Sequence, residues 1–403
     1  MKSIVLSKQR TSIVLIIWTI AILMGCSGSK EDVILFSDLT ANGESGLITT
    51  TELTLSFDKD PTSLSIGDIT VTGATKGAVS GSGITRTLEI SDITVSDGEA
   101  VTVELANPPL YKVTPNSKTV NIHKMLIMVD IPAGTFQRDG TAENTSAVSG
   151  FMMSAKEITR IQFLTIMGTD PSVTTYSGGV NDPVQLVSWY DAIAFCNKLS
   201  IAEGLQRVYD IEGITGDADW EALTYDEIPT TMTNEWNMVT ANWSANGYRL
   251  PTEMEWMWAA MGADQDSRPG AIQNGINRTG YSKAFAGSSG SNTIGDYAVF
   301  GYHTGSTGRT IYERTISVGS KLPNELGLFD MSGNVWEWAW DNNEFLYPTG
   351  HLTDYRGYQY VPGEKIKRGG DWRFDESYCT VALRKYNNVV FKAAYNGFRV
   401  ARY

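Results

Sequence analysis

The apolar positions of this chain change their spacing twice. From Ile13 to Met24 they run almost without interruption behind a basic leader of Lys2, Lys8 and Arg10. From about Val33 to Lys124 they alternate instead: Leu53, Leu55 and Phe57 with Thr54 and Ser56, then again through Ile69-Thr70-Val71-Thr72 and Val101-Thr102-Val103. A period of two is that of a strand with one buried face. Gly73, Gly77, Gly81, Gly83, Gly98 and the Pro108-Pro109 pair interrupt the pattern roughly every ten positions, the spacing of a β-sandwich. Residues 27–125 are therefore expected to form an all-β sandwich.

Beyond about Met128 the pattern mixes helical and strand periods, and tryptophans gather. Ser188 with Asp191 predicts a capped helix whose inner face is Ala192, Phe195, Cys196 and Leu199 and which stops at Gly204. Thr252 with Glu255 predicts a second, with Trp256 and Ala260 inward and Gly262 past its end. In Gly333-Asn334-Val335-Trp336-Glu337-Trp338-Ala339-Trp340 the three tryptophans share one strand face and Glu337 points the other way. A tryptophan stripe reads as core, with Asn334 and Glu337 satisfying buried polar groups. Gly204 to Asn246 reads as loop.

Composition adds class and compartment. A chain of 403 residues, 42% hydrophobic, can bury real cores, and 45 acidic against 32 basic residues give a net charge of -13. Nucleic acid and anionic lipid surfaces are excluded as general partners. The densest basic cluster, Lys365, Lys367 and Arg368, reads as a solvated strand edge. The apolar run is too short for a ~30 Å hydrocarbon core and ends in Leu23-Met24-Gly25-Cys26, a lipobox pattern. Residues 1–26 are thus expected to be a lipoprotein signal peptide with lipobox, and Cys26 to carry the acyl chains. Ser27 to Lys30 would be a tether. The expected location is exported and lipid-anchored to a bacterial membrane, at the outer-membrane cell surface.

Two family resemblances refine this. Thr49 to Lys59 and Ser117 to Ile122 resemble the bacterial immunoglobulin-like modules of spirochaete surface proteins, which implies a spacer role for the sandwich. Farther on, Ile131-Pro132-Ala133-Gly134-Thr135-Phe136, Lys156-Glu157-Ile158-Thr159, Pro183-Val184 with Val187-Ser188-Trp189, and Tyr248-Arg249-Leu250-Pro251-Thr252-Glu253 occur in order. They are followed by Gly327-Leu328-Phe329-Asp330-Met331, the tryptophan run, Arg368-Gly369-Gly370 and Gly397-Phe398-Arg399. Together these resemble the formylglycine-generating enzyme, or sulfatase-modifying-factor, family. The resemblance implies an α+β C-type-lectin-like fold over 126–403.

The family's chemistry does not carry over residue by residue. In its enzymes two cysteines five positions apart bind copper, a soft-thiolate site. Here Phe374 stands at the first position and Cys379 at the second. His123, His303 and His351 lie in no ligand spacing that the iron-dependent branch would need. Cys196 matches a disulfide position whose partner is Val400, which implies a buried free thiol. No catalytic residue, metal or cofactor is assigned. Calcium remains open at Asp264, Asp266, Asn274 and Asn277, with solvated loop acids the plainer account.

Residues 370–403 resemble the variable region of retroelement-diversified lectin-like proteins. A framework of Gly369, Gly370, Trp372, Cys379, Ala382, Arg384, Gly397 and Phe398 surrounds the candidate ligand-binding set. That set is Asp371, Arg373, Phe374, Asp375, Glu376, Ser377, Tyr378, Leu383, Lys385, Tyr386, Asn387, Asn388, Phe391 and Lys392. It mixes rigid aromatics with adaptable polar groups, as binding surfaces do. The expected function is capture of a protein or glycan ligand at the cell surface. A formylglycine-generating-type oxidase and a purely structural surface protein are the alternatives.

Overall fold

The computed structural model describes residues 32–343, 349–358 and 363–403, so the leader and Cys26 lie outside the described residues. Among the described residues no helix is long and apolar enough to cross a membrane.

The alternating segment forms eight strands: β1 (Asp32–Ala41), β2 (Glu52–Phe57), β3 (Ile69–Thr72), β4 (Thr75–Ser80), β5 (Thr85–Ser91), β6 (Ala100–Leu105), β7 (Tyr111–Thr114) and β8 (Ser117–Asn121). One sheet has the order β4-β5-β2-β1-β7 and the other β3-β6-β8. The inward residues that the period of two selects, among them Leu53, Leu55, Val101 and Val103, are buried between the sheets. Phe36 stacks on Phe57 with centroids 5.4 Å apart. Each such side chain contributes roughly 1.5–3 kcal/mol on burial.

The second unit opens with β9 (Met128–Ile131), β10 (Gly134–Gln137), β11 (Thr145–Val148) and β12 (Phe151–Ser154). Helices α1 (Arg160–Met167), α2 (Trp189–Ala202) and α3 (Glu253–Ala260) follow. All three start at a capping box, Thr159 with Gln162, Ser188 with Asp191 and Thr252 with Glu255, so the first backbone N–H groups are satisfied locally. The Gly204–Asn246 stretch is more ordered than its composition foretold. It holds short helices at Asp217–Ala222 and Asn234–Asn237 and delivers Trp220 and Trp236 to the core.

The central sheet is built from β13 (Trp336–Asn342), β14 (Glu364–Arg368), β15 (Lys385–Asn388) and β16 (Asn396–Gly397), in the order β15-β14-β13-β16. Strand β13 is covered on both sides. Trp338 and Trp340 enter the core shared with α2 and Phe398, while the Glu337 side chain reaches Trp256 of α3. The chain ends in β17 (Ala401–Arg402), paired antiparallel to β12.

One expectation fails here. Lys365, Lys367 and Arg368 are not a solvated edge but are 7%, 5% and 0% exposed. Strand β14 is internal, with β13 on one side and β15 on the other, so its polar positions are roofed.

Candidate functional site

Residues 369–403 leave β14, loop outward and return as β15, β16 and β17. The exit needs glycine. Gly369 and Gly370 have φ of 97° and 85°, and a Cβ on Gly370 would lie 2.5 Å from the Tyr378 carbonyl oxygen. This tight approach folds the short helical turn Glu376–Cys379 back over the exit, with Asp375 accepting from the Ser377 backbone N–H at 2.9 Å as its cap.

Asp371 is fully buried, which corrects its assignment as a ligand contact. Its carboxylate accepts from Trp336 Nε1 at 2.7 Å and from the Arg373 N–H at 2.8 Å, and its Oδ2 pairs with Arg373 Nη2 at 3.0 Å. Asp371 therefore positions Arg373, whose guanidinium carbon lies 3.1 Å from the Tyr395 ring centroid and 4.8 Å from that of Phe374. Phe374 is 38% exposed and stacks on Tyr378 at 4.7 Å with an interplanar angle of 22°. Lys385 Nζ stands 5.5 Å from the Tyr378 ring. Two stacked aromatic rings between two cations thus form an open platform.

The rest of the set divides. Glu376, Ser377, Lys385 and Tyr386 are exposed, while Leu383, Asn387 and Asn388 are half-buried. Side chains alternate along β15, so Tyr386 and Asn388 leave the strand on the side opposite Lys385. Asn388 Nδ2 contacts Met232 Sδ at 3.3 Å. Phe391 packs against the core beneath Lys367 Nζ, 5.4 Å away. Lys392 is tied to Asp191 and to the Tyr225 hydroxyl, each at 2.8 Å. Met232, 51% exposed, and Tyr225 belong to this neighbourhood although no local signal marks them. They come from a loop some 150 positions upstream. Arg384, assigned to the framework, pairs with Glu253 at 2.9 Å.

The residues present do not fit the family's copper pair. Phe374 offers no sulfur. Cys379 is buried beside Ala298 and Phe300, and burial, with the charges of Asp371, Asp375 and Glu376 behind it, pushes its thiol far up. Cys196 is likewise a buried free thiol. The histidines stay apart: His123 lies by Asp97, His303 by Trp372 and His351 on Thr145. In the loop left open to calcium, Asp266 is not a solvated acid. It is 6% exposed and paired with Arg268 at 3.0 Å and Lys283 at 3.4 Å, and Asn277 donates to the Ala263 carbonyl. Asp264 and Asn274 are exposed. Among the described residues no three His, Cys, Asp or Glu are grouped to hold a metal.

Asn334 and Glu337 act as the tryptophan run implied. Asn334 donates to Glu157 at 2.7 Å, and Glu337 pairs with Arg399 at 2.7 Å.

Comparison with known proteins supports the fold. A chaperone protein LppX of Paenibacillus barcinonensis is 34% identical over 257 residues, 61% of this chain and 78% of that protein. A formylglycine-generating enzyme of Thermomonospora curvata is 32% identical over 176 residues, but the match spans 41% of this chain and only 53% of the enzyme. Among solved structures, Treponema denticola variable protein 1 superposes with a TM-score of 0.57 at 30% identity, covering 72% of this chain and 97% of that one. The model of the sulfatase-modifying factor enzyme 1-like domain matches residues 113–403, starting inside the sandwich's last strands, and the chain belongs to that family.

Proposed function

We propose that the chain is a surface-displayed lipoprotein that captures a protein or glycan ligand through the face built by residues 370–403, and that it is not an enzyme. The observation that carries this reading is the Phe374–Tyr378 stack held open between Arg373 and Lys385. An aromatic pair with Phe374 exposed and Tyr378 half-buried, on a buried ion-paired base, has little folding value and much contact value. Rigidity beneath it lowers the ordering cost of binding. Trp372 and Arg373 are pinned by backbone hydrogen bonds from Tyr302 and His303, both 3.0 Å. The likeness to the Treponema variable protein supports diversification of this face by a retroelement. A near-copy of the codons for Gly370 to Arg402 beside a reverse transcriptase gene, differing only at adenines, is the mark expected in the neighbouring DNA. The sandwich is the spacer, an immunoglobulin-like module in this reading.

The test is a glycan array and a panel of extracellular-matrix proteins probed with the full chain and with Phe374→Ser/Tyr386→Ser. Because both rings are exposed, the variant should melt within about 2 °C of the parent while every captured ligand is lost. In a second arm, copper, oxygen and a cysteine peptide of sulfatase type should give no aldehyde. Retained capture, or aldehyde above background, would overturn the reading.

A further inference from the structure

Away from that face, the sandwich has two unlike ends. Strand β1 runs from one to the other, ten residues and so about 33 Å. Past its last residue the chain turns to meet the lectin-like unit, where the Thr49 hydroxyl donates to Glu203 at 2.5 Å. The opposite end gathers exposed apolar side chains. Val33 and Leu35 leave the outward face of β1, opposite the buried Ile34 and Phe36, at 44% and 43% exposure. The parallel register of β1 on β7 sets Asp32 beside Tyr111, so the preceding Leu110, 71% exposed, stands at the same end. Ile84, 55% exposed, is placed there by its carbonyl, which accepts from the Phe57 backbone N–H at 2.8 Å. Ile66, 39% exposed, comes just before β3, whose first residue pairs with the last of β6. Apolar residues scattered singly over a surface need no explanation, but these converge on one end from four separate stretches of chain.

The charges at this end cancel. Asp32 pairs with Lys59 at 2.6 Å and Asp60 with Arg86 at 2.8 Å. Asp58 accepts from the Leu35 backbone N–H and Asp68 from the Ser65 hydroxyl, both at 2.6 Å. Lys112, opposite Val33, and Lys76, which donates to the Ile66 carbonyl at 2.9 Å, offset those two carboxylates. Apolar surface without net charge suits the interface of a zwitterionic bilayer and draws nothing from an anionic one. The chain outside the described residues leads to such a surface. Cys26 stands six positions before Asp32, and six residues at full extension reach no more than about 20 Å. A lipid anchor at Cys26 therefore keeps this end of the sandwich, and not the junction, beside the membrane.

We propose that this end is a membrane foot: Ile84 and Leu110 dip into the boundary between headgroups and acyl chains of the bilayer that Cys26 enters, with Val33, Leu35 and Ile66 at the rim. The inference rests on the Cys26 anchor of the proposed function and is independent of the Phe374 platform. It gives the sandwich a second role. A tether alone lets the molecule lie in any direction, whereas an anchor and an apolar foot at the same end hold β1 away from the bilayer plane and carry the lectin-like unit outward.

The experiment uses the full chain, purified in detergent from membranes of the expressing cell and reconstituted into phosphatidylcholine vesicles. An environment-sensitive NBD fluorophore is attached at Ser82→Cys, in the turn of Ile84, or at Glu44→Cys, at the junction end; Cys196 and Cys379 are buried and stay unlabelled. With nitroxide-bearing lipid the label at position 82 should lose about half of its emission or more, and the label at 44 almost none. A nitroxide near the headgroup should quench more than one near the methyl end of the acyl chain, since the contact is only about 5–10 Å deep. Ile84→Ser/Leu110→Ser should remove most of the quenching at 82 while acyl mass and melting curve stay as in the parent, and Leu110→Ser alone serves if the pair is destabilised. With the acyl mass intact, no quenching at 82, equal quenching at 82 and 44, or unchanged quenching in a folded serine variant overturns the foot alone. Blue-shifted emission at 82 without nitroxide quenching assigns the end to a second copy of the chain and overturns it too. A chain without acyl mass overturns the Cys26 anchor and the foot with it.

Discussion

Glu337 lies in the most distinctive motif of the chain, and all of its bonds run inward. Its oxygens meet Arg399 Nε and Nη2 at 2.7 Å each and accept from Trp256 Nε1 at 2.6 Å, with both charged partners at 0% exposure. A buried charge left alone is far more costly than the pair was worth. Glu337→Gln should therefore cost about 3 kcal/mol in urea unfolding at pH 7, the low end of the usual range, because Asp330 already faces Arg399 as a carboxylate and Glu157, which also faces it, can ionise in compensation. Burial holds Glu157 well above the carboxylate range and so leaves it charge in reserve, while Asp330, held at about 6, is already largely ionised at neutral pH. A change under about 1 kcal/mol would show that the pair is dispensable. The structural role of Glu337 was legible, since three tryptophans at period two already required a buried opposite face. That of Asp371 was not. Its carboxylate looked like its variable neighbours, and the indole that fixes it inward lies 35 positions earlier.

At the scale of elements, local signals read true and remote ones did not. The capping boxes of α2 and α3 lie within four residues and determine their own geometry, so both helices begin where Ser188 and Thr252 place them. Strand β14 shows the converse. Glu364-Lys365-Ile366-Lys367-Arg368 alternates like an edge, yet its lysine face is roofed by rings contributed from elsewhere. Lys365 Nζ sits 4.0 Å from Trp189 and 4.7 Å from Trp340, and Lys367 Nζ 5.3 Å from Trp336. Burial is the first cause holding both ammonium groups down at about 7, with Asp341 pulling Lys365 up and Asp371 pulling Lys367 up, while Arg373 and Lys385 push Lys367 down. A lysine that titrates at about 7 when folded and at 10.5 when unfolded binds more protons in the unfolded chain between those values. Stability gained from it therefore rises with pH across that window. Asp341, raised to about 8 by burial, works in the opposite sense from about pH 4 to 8. Lys367→Met removes the first contribution and keeps an apolar side chain over Phe391. It should stabilise the protein by about 1–2 kcal/mol at pH 7 and reduce the rise in stability between pH 8 and 9.5 by about half, Lys365 supplying the rest. An unaltered slope in denaturant titrations at the two pH values would show that Lys367 is charged in its aromatic cage.

For the whole molecule, the sandwich and the lectin-like unit are joined by more than the chain. Thr49 binds Glu203 across the junction, and Gln162 Nε2 donates to the carbonyls of Met125 at 2.8 Å and Gly46 at 3.3 Å. Among the described residues the two units also have cores of their own, so the folded part is expected to form without the leader. Anchoring and folding should then separate cleanly, and Cys26 is the position at which to separate them. The motivation is Leu23-Met24-Gly25-Cys26 behind an apolar run and a basic start. One acyl chain holds a protein to a bilayer only marginally, whereas a thioether diacylglycerol with an amide-linked chain holds it stably. Cys26→Ala in the expressing cell should abolish incorporation of labelled palmitate, while the folded part melts as the parent does. An uncleaved apolar run would itself favour detergent, so phase partitioning is decided together with mass. Parent protein should carry the acyl mass on a chain beginning at Cys26, and the variant should retain its leader or lose it without any acyl mass. Palmitate incorporated into Cys26→Ala, or a parent chain that begins elsewhere, would remove the lipid anchor and with it the surface display on which the binding role depends.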